Sequence, residues 1–121
     1  MHKHDVLHRD VKPENVLFGQ NGQVKLADLG VAMFLSDEQA YRDTMQGTPL
    51  YFAPEILSSV RYAKPVDIWS FGLFAYQLPT NIIPFLDGGH QELNNVMAMP
   101  TPQLPEGRFT NEYQTFINAC L

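Results

Sequence analysis

The sequence predicts an α+β fold that is mainly α-helical and contains one small β-hairpin. The hairpin is indicated by Asn21-Gly22 between two short apolar runs, because both residues tolerate positive φ. A long buried helix is indicated by a run from Pro65 to about Leu78 with apolar residues around most of its circumference, and Pro79 is expected to end it. A last helix is indicated by four residues with i, i+3, i+4, i+7 spacing: Tyr113, Phe116, Ile117 and Cys120.

The predicted hairpin joins two polar residues that are distant in sequence. Its first strand, residues 16–18, follows Asn15 directly, and its second strand, residues 23–27, ends just before Asp28. Side chains alternate along a strand, so Val24 and Leu26 share one face. Closing the hairpin would therefore bring Asn15 and Asp28 together at its open end.

The remaining elements follow in order along the chain. Residues 31–52 have no regular period and are expected to form a loop. Pro54 suits the first turn of a short helix over residues 55–58, and a second short helix is expected over residues 91–99. Either Thr110 or Asn111 is expected to cap the last helix.

Composition limits the class of protein. The 121 residues correspond to one domain at most, and 45% hydrophobic content is enough for a core. A net charge of −5 argues against nucleic acid as the main partner, and we find no apolar run of membrane-spanning length and no signal-peptide pattern. The single cysteine, Cys120, fits a reducing compartment, so we expect a cytoplasmic or nuclear protein in which Cys120 is a buried structural thiol.

The octet from His8 to Asn15 carries the chemistry. It matches the pattern H-R-D-x-x-x-x-N residue for residue. A carboxylate (Asp10), a lysine (Lys12) and a carboxamide (Asn15) in one loop suit phosphoryl transfer, which needs a proton acceptor, a positive charge and a metal ligand. Pro13 stiffens this loop by fixing its own φ.

A second motif, Asp28-Leu29-Gly30, follows 13 residues after Asn15. The tripeptide alone is weak, because Asp and Gly are common turn residues. The predicted hairpin strengthens this signal, since it would let Asn15 and Asp28 present two converging oxygen atoms. Such ligands, completed by phosphates and water, suit a hard ion such as Mg²⁺.

Two further motifs complete the pattern. Residues 47–55 end in Ala53-Pro54-Glu55, and residues 67–72 begin the long helix. With these four motifs in order, the chain resembles the large (C-terminal) lobe of a protein kinase from residue 1 to residue 121. The resemblance implies a partial kinase domain without the N-lobe, with a catalytic loop (8–15), a metal-binding hairpin (16–30), an activation segment (28–55) and a helical subdomain (56–121).

The resemblance also implies roles for individual residues. Asp10 would be the catalytic base, Lys12 would stabilise the transferring phosphoryl group of ATP, and Asn15 and Asp28 would bind Mg²⁺. Lysine at this position and the threonine Thr48, which would hydrogen-bond the base, are typical of Ser/Thr kinases. The other implied residues are Leu17 as the floor of the nucleotide site, His8 and Leu29 in an apolar stack, Glu55 as an ion-pair partner, and Asp67 as a support for the catalytic loop.

Arg9 is implied as the regulatory residue, because a guanidinium beside the base can bind a phosphate on the activation loop. The candidate phosphate acceptors are Ser36, Tyr41 and Thr44. Residues 104–121 and the position of Thr44 are similar to MAP kinase kinases. Those enzymes usually carry a second acceptor four residues earlier, where this chain has Ala40.

The 121-residue chain contains neither a Gly-rich loop nor the strand lysine and helix glutamate of a complete kinase, and both ends look cut. We therefore expect this chain alone to be inactive and aggregation-prone. The leading interpretation is an ATP- and Mg²⁺-dependent protein Ser/Thr kinase with protein substrates, such as a downstream kinase, and an upstream activating kinase. The alternative is an inactive fragment that acts as a binding or decoy module. A metal site at His2, His4 and His8 is disfavoured because no cysteine or carboxylate set completes it.

Overall fold

The computed structural model describes residues 1–36, 45–58, 61–85, 96 and 98–121. It contains four short strands: β1 (Val6–Leu7), β2 (Val16–Phe18), β3 (Val24–Leu26) and β4 (Met33–Phe34). The described residues also form three α-helices: α1 (Pro54–Leu57), α2 (Pro65–Thr80) and α3 (Asn111–Cys120). Single 3₁₀ turns span His2–His4, Pro13–Asn15 and Pro49–Tyr51. No described helix has the length and apolar character needed to cross a bilayer.

The predicted hairpin is present, with a different turn. Strands β2 and β3 pair antiparallel with Val16 opposite Leu26. The connection is closed by hydrogen bonds from Gly19 N to Gln23 O (2.7 Å) and from Gly22 N to Gly19 O (3.1 Å). Only Gly22 has positive φ (70°) within it, so the Asn-Gly pair does not form the two-residue turn in which both residues are left-handed.

A second small sheet was not predicted. Strand β1, just before the catalytic loop, pairs antiparallel with β4, which lies within the region expected to be irregular. Each strand has only two residues, which is too short for an alternating pattern to be visible in the sequence. The pairing fixes the start of the activation segment beside the catalytic loop, and Leu35 N continues it by donating to Asp5 O (2.8 Å).

The prediction that Pro79 ends α2 is wrong, because the helix continues to Thr80 and closes on a left-handed Asn81. Proline has no N–H to donate to the carbonyl four residues earlier, which is that of Ala75. The Tyr113 hydroxyl on α3 donates to Ala75 O instead, at 2.7 Å. The partner that permits a proline in the last turn thus comes from another helix.

Helix α3 packs across α2 at a glycine. An added Cβ on Gly72 would lie 2.6 Å from Cys120 Cβ, so only glycine permits this approach. Ile117 is fully buried here, and Thr110 is the N-cap, accepting from Tyr113 N at 3.3 Å. Burial raises the pKa of the Cys120 thiol, which is partly buried.

Two other expectations need adjustment. Helix α2 is not buried all round, since three of its large apolar residues are exposed: Ile68, Phe71 and Leu78. Helix α1 begins and ends one residue earlier than predicted.

The helix expected over residues 91–99 lies almost wholly outside the described residues, although Val96 and Ala98 are helical. One core cluster surrounds β1 and α1, and a second joins α2 to α3.

Candidate active site

The Asp10 carboxylate is the centre of a compact polar cluster. Its Oδ1 accepts a hydrogen bond from Thr48 Oγ1 at 2.7 Å, and its Oδ2 accepts one from Asn15 Nδ2 at 2.9 Å. Lys12 Nζ lies 2.9 Å from Asp10 Oδ2 and donates to Thr48 Oγ1 at 2.7 Å. Three side chains therefore meet at the Asp10 carboxylate, and one of them, Thr48, is 38 positions away in the sequence.

These contacts set the ionisation of Asp10. Burial alone would raise the pKa of the carboxyl, since it disfavours the charged form. The hydrogen bonds from Thr48, Lys12 and Asn15, together with the charge of Lys12, outweigh burial and hold the pKa of Asp10 below its ordinary value of 3.8. Asp10 is therefore ionised at neutral pH and presents a hydrogen-bond acceptor.

The backbone of the catalytic loop is hydrogen-bonded to helix α2. Asp67 is buried in the first turn of that helix, and its two carboxylate oxygens accept hydrogen bonds from His8 N (2.9 Å) and Arg9 N (2.8 Å). His2 Nε2 also lies 2.7 Å from Asp67 Oδ2. The contribution of His2 was missed, because one histidine six positions before the motif gives no signal by itself.

The hairpin is tied to this loop at its open end. Ala27 N donates to Asn15 O at 2.8 Å, extending the ladder of β2 and β3 by one pair. Ala27 O lies 3.0 Å from His8 Nε2, so the buried imidazole joins the hairpin to the loop. Asp28 directly follows Ala27, so this pairing brings its backbone next to the pair formed with Asn15, and the convergence of the two side chains stays a prediction.

Asp28 has the conformation of a turn residue at the surface. Its φ is +61°, which is uncommon for a non-glycine residue, and its Oδ1 accepts from Gly30 N at 3.0 Å. Asn15 has the complementary arrangement, since its amide nitrogen donates to both Asp10 Oδ2 and Asp10 O. Within the described residues, Asn15 Oδ1 and Asp28 Oδ2 accept no hydrogen bond, so the two residues offer the oxygen donors that Mg²⁺ requires.

Two apolar residues named from the sequence lie at the surface. Leu17 is 52% exposed and is paired with Lys25, on the hairpin face opposite to Val16 and Leu26. Leu29 is 60% exposed, whereas His8 is fully buried. The stack of Leu29 with His8 stays a prediction.

The Arg9 side chain is buried beside the start of the activation segment. Its Nε donates to Val31 O at 2.6 Å, and its Nη1 donates to Tyr62 Oη at 3.2 Å. Arg9 has a φ of +67°, and an added Cβ on Gly47 would lie 2.3 Å from Arg9 O. Gly47 therefore permits the activation segment to pass directly over the catalytic loop.

The candidate phosphate acceptors are only partly visible. Ser36 is exposed, while Tyr41 and Thr44 lie outside the described residues. Glu55, on α1, is half-buried and makes no ion pair with any residue that the structure describes.

Tyr51 is a further site residue that sequence reasoning did not single out. Its hydroxyl donates to Gln77 Oε1 at 2.5 Å, and its carbonyl accepts from Ser70 Oγ at 2.7 Å, so it fastens the activation segment to α2. Burial and the charges of Glu14 and Asp10 raise the pKa of Tyr51 to about 12. The hydrogen bond to Gln77 opposes this shift only in part.

An apolar cavity of about 420 Å³ lies beneath the hairpin. Its walls come from the hairpin, the catalytic loop and α2, and they include Val16, Leu26, Val11, Phe71 and Phe74. Leu17 is absent from this wall, because it lies on the other face of β2. The two faces of the hairpin thus have different surroundings.

Comparisons with known proteins agree with this geometry. The family model described as the protein kinase domain matches residues 1–121. The chain is 36% identical over 124 residues to the serine/threonine-protein kinase PAK 1 of Mus musculus, and 37% identical over 123 residues to the serine/threonine-protein kinase KIC1 of Saccharomyces cerevisiae. These alignments cover 100% of the chain but only 23% and 11% of the two relatives. Neither relative is named as a MAP kinase kinase, so they add no support to that similarity. The chain belongs to the protein kinase family.

Proposed function

We propose that the chain is the large lobe of a protein Ser/Thr kinase that transfers the ATP γ-phosphate to Ser or Thr hydroxyls of protein substrates. One observation carries the proposal: Thr48, Lys12 and Asn15 all lie within hydrogen-bonding distance of the Asp10 carboxylate. Both named relatives are serine/threonine-protein kinases, which supports the choice of acceptor.

Asp10 would act mainly by orienting the substrate hydroxyl. Its lowered pKa makes it a weak base, so it accepts a hydrogen bond readily and takes the full proton only late. Phosphoryl transfer through a loose transition state asks little of the base, and positioning and charge stabilisation dominate. Lys12 would contribute the positive charge beside the transferring group, since its ammonium already lies at this carboxylate.

Asn15 and Asp28 would hold Mg²⁺ through Asn15 Oδ1 and the Asp28 carboxylate. The ion, when bound, would supply positive charge to the ATP phosphates. Leu17 would lie beneath the nucleotide base, which is consistent with its exposure on the hairpin face away from the cavity. Asp67 would keep the loop in register through its hydrogen bonds to His8 N and Arg9 N.

Arg9 would link activity to phosphorylation. Thr44 is the proposed acceptor, with Ser36 and Tyr41 as alternatives, and an upstream kinase would be the partner that modifies it. A phosphate carries a charge of roughly −1.5 to −2 at pH 7, so it can pair with a guanidinium and order the activation segment. A cytoplasmic or nuclear setting remains the proposal for its location.

The main test uses the 121-residue chain and a completed domain, in which the small lobe of the mouse relative precedes residue 1. We expect phosphate transfer from ATP by the completed domain only, because the chain lacks the Gly-rich loop that covers the phosphates. Asp10→Asn should lower the rate at least about a hundredfold, measured with radiolabelled ATP and a Ser/Thr peptide. Transfer by the chain alone, abolished by Asp10→Asn, would show that the 121 residues suffice. No transfer by the completed domain would favour the binding-module alternative, and transfer that is unaffected by Asp10→Asn would contradict the role of Asp10.

The regulatory proposal needs a separate test. In the completed domain, Thr44→Ala and Arg9→Ala should reduce activity to a similar degree, and the double variant should be little worse than either. Kinase assays after treatment with an activating kinase measure this coupling. Additive losses would mean that the two residues act independently, and full activity of Thr44→Ala would direct attention to Ser36 or Tyr41.

A further inference from the structure

We propose that Tyr62 is a positioning residue that holds the Arg9 guanidinium ready to bind a phosphate. The inference rests on the proposed function, because it concerns the regulation of the same site. Tyr62 lies between α1 and α2, 53 positions from Arg9, and no motif in the sequence points to it.

The geometry fixes the plane of the guanidinium from two sides. Val31 O accepts from Nε at 2.6 Å and Tyr62 Oη accepts from Nη1 at 3.2 Å. These bonds use two of the five N–H groups that a guanidinium carries. The other N–H groups of the guanidinium have no hydrogen-bond partner among the described residues.

The two partners of the guanidinium are both neutral. No carboxylate that the structure describes forms an ion pair with Arg9, although the residue is only 8% exposed. Asp67 accepts a hydrogen bond from the backbone N–H of Arg9 and not from its guanidinium, so among the described residues it does not neutralise the side chain. A buried cation without a counter-ion is costly, so the site favours an incoming anion. A carboxylate at position 62 would orient Arg9 equally well but would also neutralise it.

The buried ring of Tyr62 explains why its hydroxyl can fix the position of the long Arg9 side chain. Tyr62 is only 3% exposed, and its ring belongs to the core cluster around Leu7, Phe52 and Ile56. A free arginine loses about 2 kcal/mol of rotamer entropy on becoming fixed. Contact with a rigid core residue imposes this loss during folding, so it does not weaken phosphate binding. Phosphate recognition by two parallel N–H groups depends on this fixed plane.

The test compares Tyr62→Phe with the matched variant Tyr113→Phe in the completed domain. Both changes remove one hydroxyl, but that of Tyr113 donates to Ala75 O, away from Arg9. Activity is measured before and after phosphatase treatment, and the ratio of the two values is the readout. We expect Tyr62→Phe to reduce this ratio by about five- to tenfold, as for loss of one ordinary hydrogen bond, while phosphatase-treated activity stays unchanged. Tyr113→Phe should leave the ratio unchanged.

A second measurement does not require activity. In thermal melts of the completed domain after phosphatase treatment, inorganic phosphate should raise the melting temperature more than chloride of equal ionic strength, and Tyr62→Phe should remove most of the difference. An unchanged activation ratio in Tyr62→Phe would overturn the inference, as would an equal loss of activity before and after phosphatase. If Arg9→Ala abolishes the phosphatase effect and Tyr62→Phe does not, only the role of Tyr62 fails. If Arg9→Ala also retains the effect, the proposed regulation fails as well.

Discussion

The catalytic loop and the hairpin supply residues to the same site, yet they are supported in different ways. The loop (8–15) has buried residues at its start and at Asn15, and its backbone N–H groups are bound by Asp67 from α2. The strands of the hairpin (16–30) are mostly exposed, and among the described residues its hydrogen bonds to the loop lie at its open end, at Ala27. One half of the site is therefore positioned by the helical core, and the other half by the open end of the hairpin.

Because of this difference, we expect substitutions to have different effects in the catalytic loop and in the hairpin. Arg9 and Asp28 both have positive φ, but Arg9 is surrounded by Asp67, Val31 and Gly47, whereas Asp28 is held by one bond from Gly30. Strained backbone persists only where surrounding contacts determine it. We therefore expect changes beneath the loop to be transmitted to the whole site, and changes in the hairpin to remain local.

The largest effect is expected for Asp67→Ala in the completed domain. The change leaves the buried N–H groups of His8 and Arg9 without an acceptor, which should lower the free energy of unfolding by about 2–5 kcal/mol. Asp67→Asn keeps one acceptor oxygen and should lose less. Denaturant unfolding gives the free energy, and hydrogen exchange reports the two amides directly. A loss no greater than that of a surface substitution would contradict the role of Asp67 as the support.

A smaller and local effect is expected for Gly22→Ala in the hairpin turn. Gly22 has a φ of +70° and no heavy atom within 4 Å of an added Cβ, so backbone strain is the only cost, about 1 kcal/mol. Gly19→Ala is the matched control, because its φ is not positive and its nearest contact would be an ordinary 3.5 Å. Hydrogen exchange of the His8 and Arg9 amides should stay the same in both variants. Faster exchange there in Gly22→Ala would mean that the loop depends on the hairpin after all.

The smallest effect is expected for Thr48→Val, and it depends on pH. Asp10 has a lowered pKa in the folded protein, so its ionisation stabilises the fold above the ordinary value of 3.8, and this contribution is lost as the pH falls through the folded pKa. Removing the hydrogen bond from Thr48 should raise the folded pKa towards 3.8, so less stability should be lost on acidification and the loss should be complete at a higher pH. Unfolding free energies between pH 7 and about pH 2 measure the shift. Thr115→Val, which removes a hydroxyl that donates to Asn111 O, should leave the profile unchanged.

The sequence was sufficient for the residues of the loop but not for their supports. Asp10, Lys12 and Asn15 could be named because their spacing forms a motif, and Thr48 because the resemblance to protein kinases implied it. The apolar residues of α2 and the apolar period of α3 predicted both helices. Tyr62, His2 and Val31 could not be named, since each acts through tertiary contacts across more than 20 positions. The continuation of α2 through Pro79 was missed for the same reason, because the partner of Ala75 O lies on α3. Leu29 was placed in an apolar stack by resemblance, and it is 60% exposed.

The hydrogen bond from Tyr113 to Ala75 also bears on the order in which the helices form. Before α3 docks, the carbonyl of Ala75 has no N–H to accept from, because position 79 is proline, and the last turn of α2 is free to fray. Docking of α3 supplies the missing donor and at the same moment buries Ile117 and brings Cys120 against Gly72. The end of one helix and the packing of the next are thus a single cooperative event, and a chain that cannot complete α3 would also lose the last turn of α2.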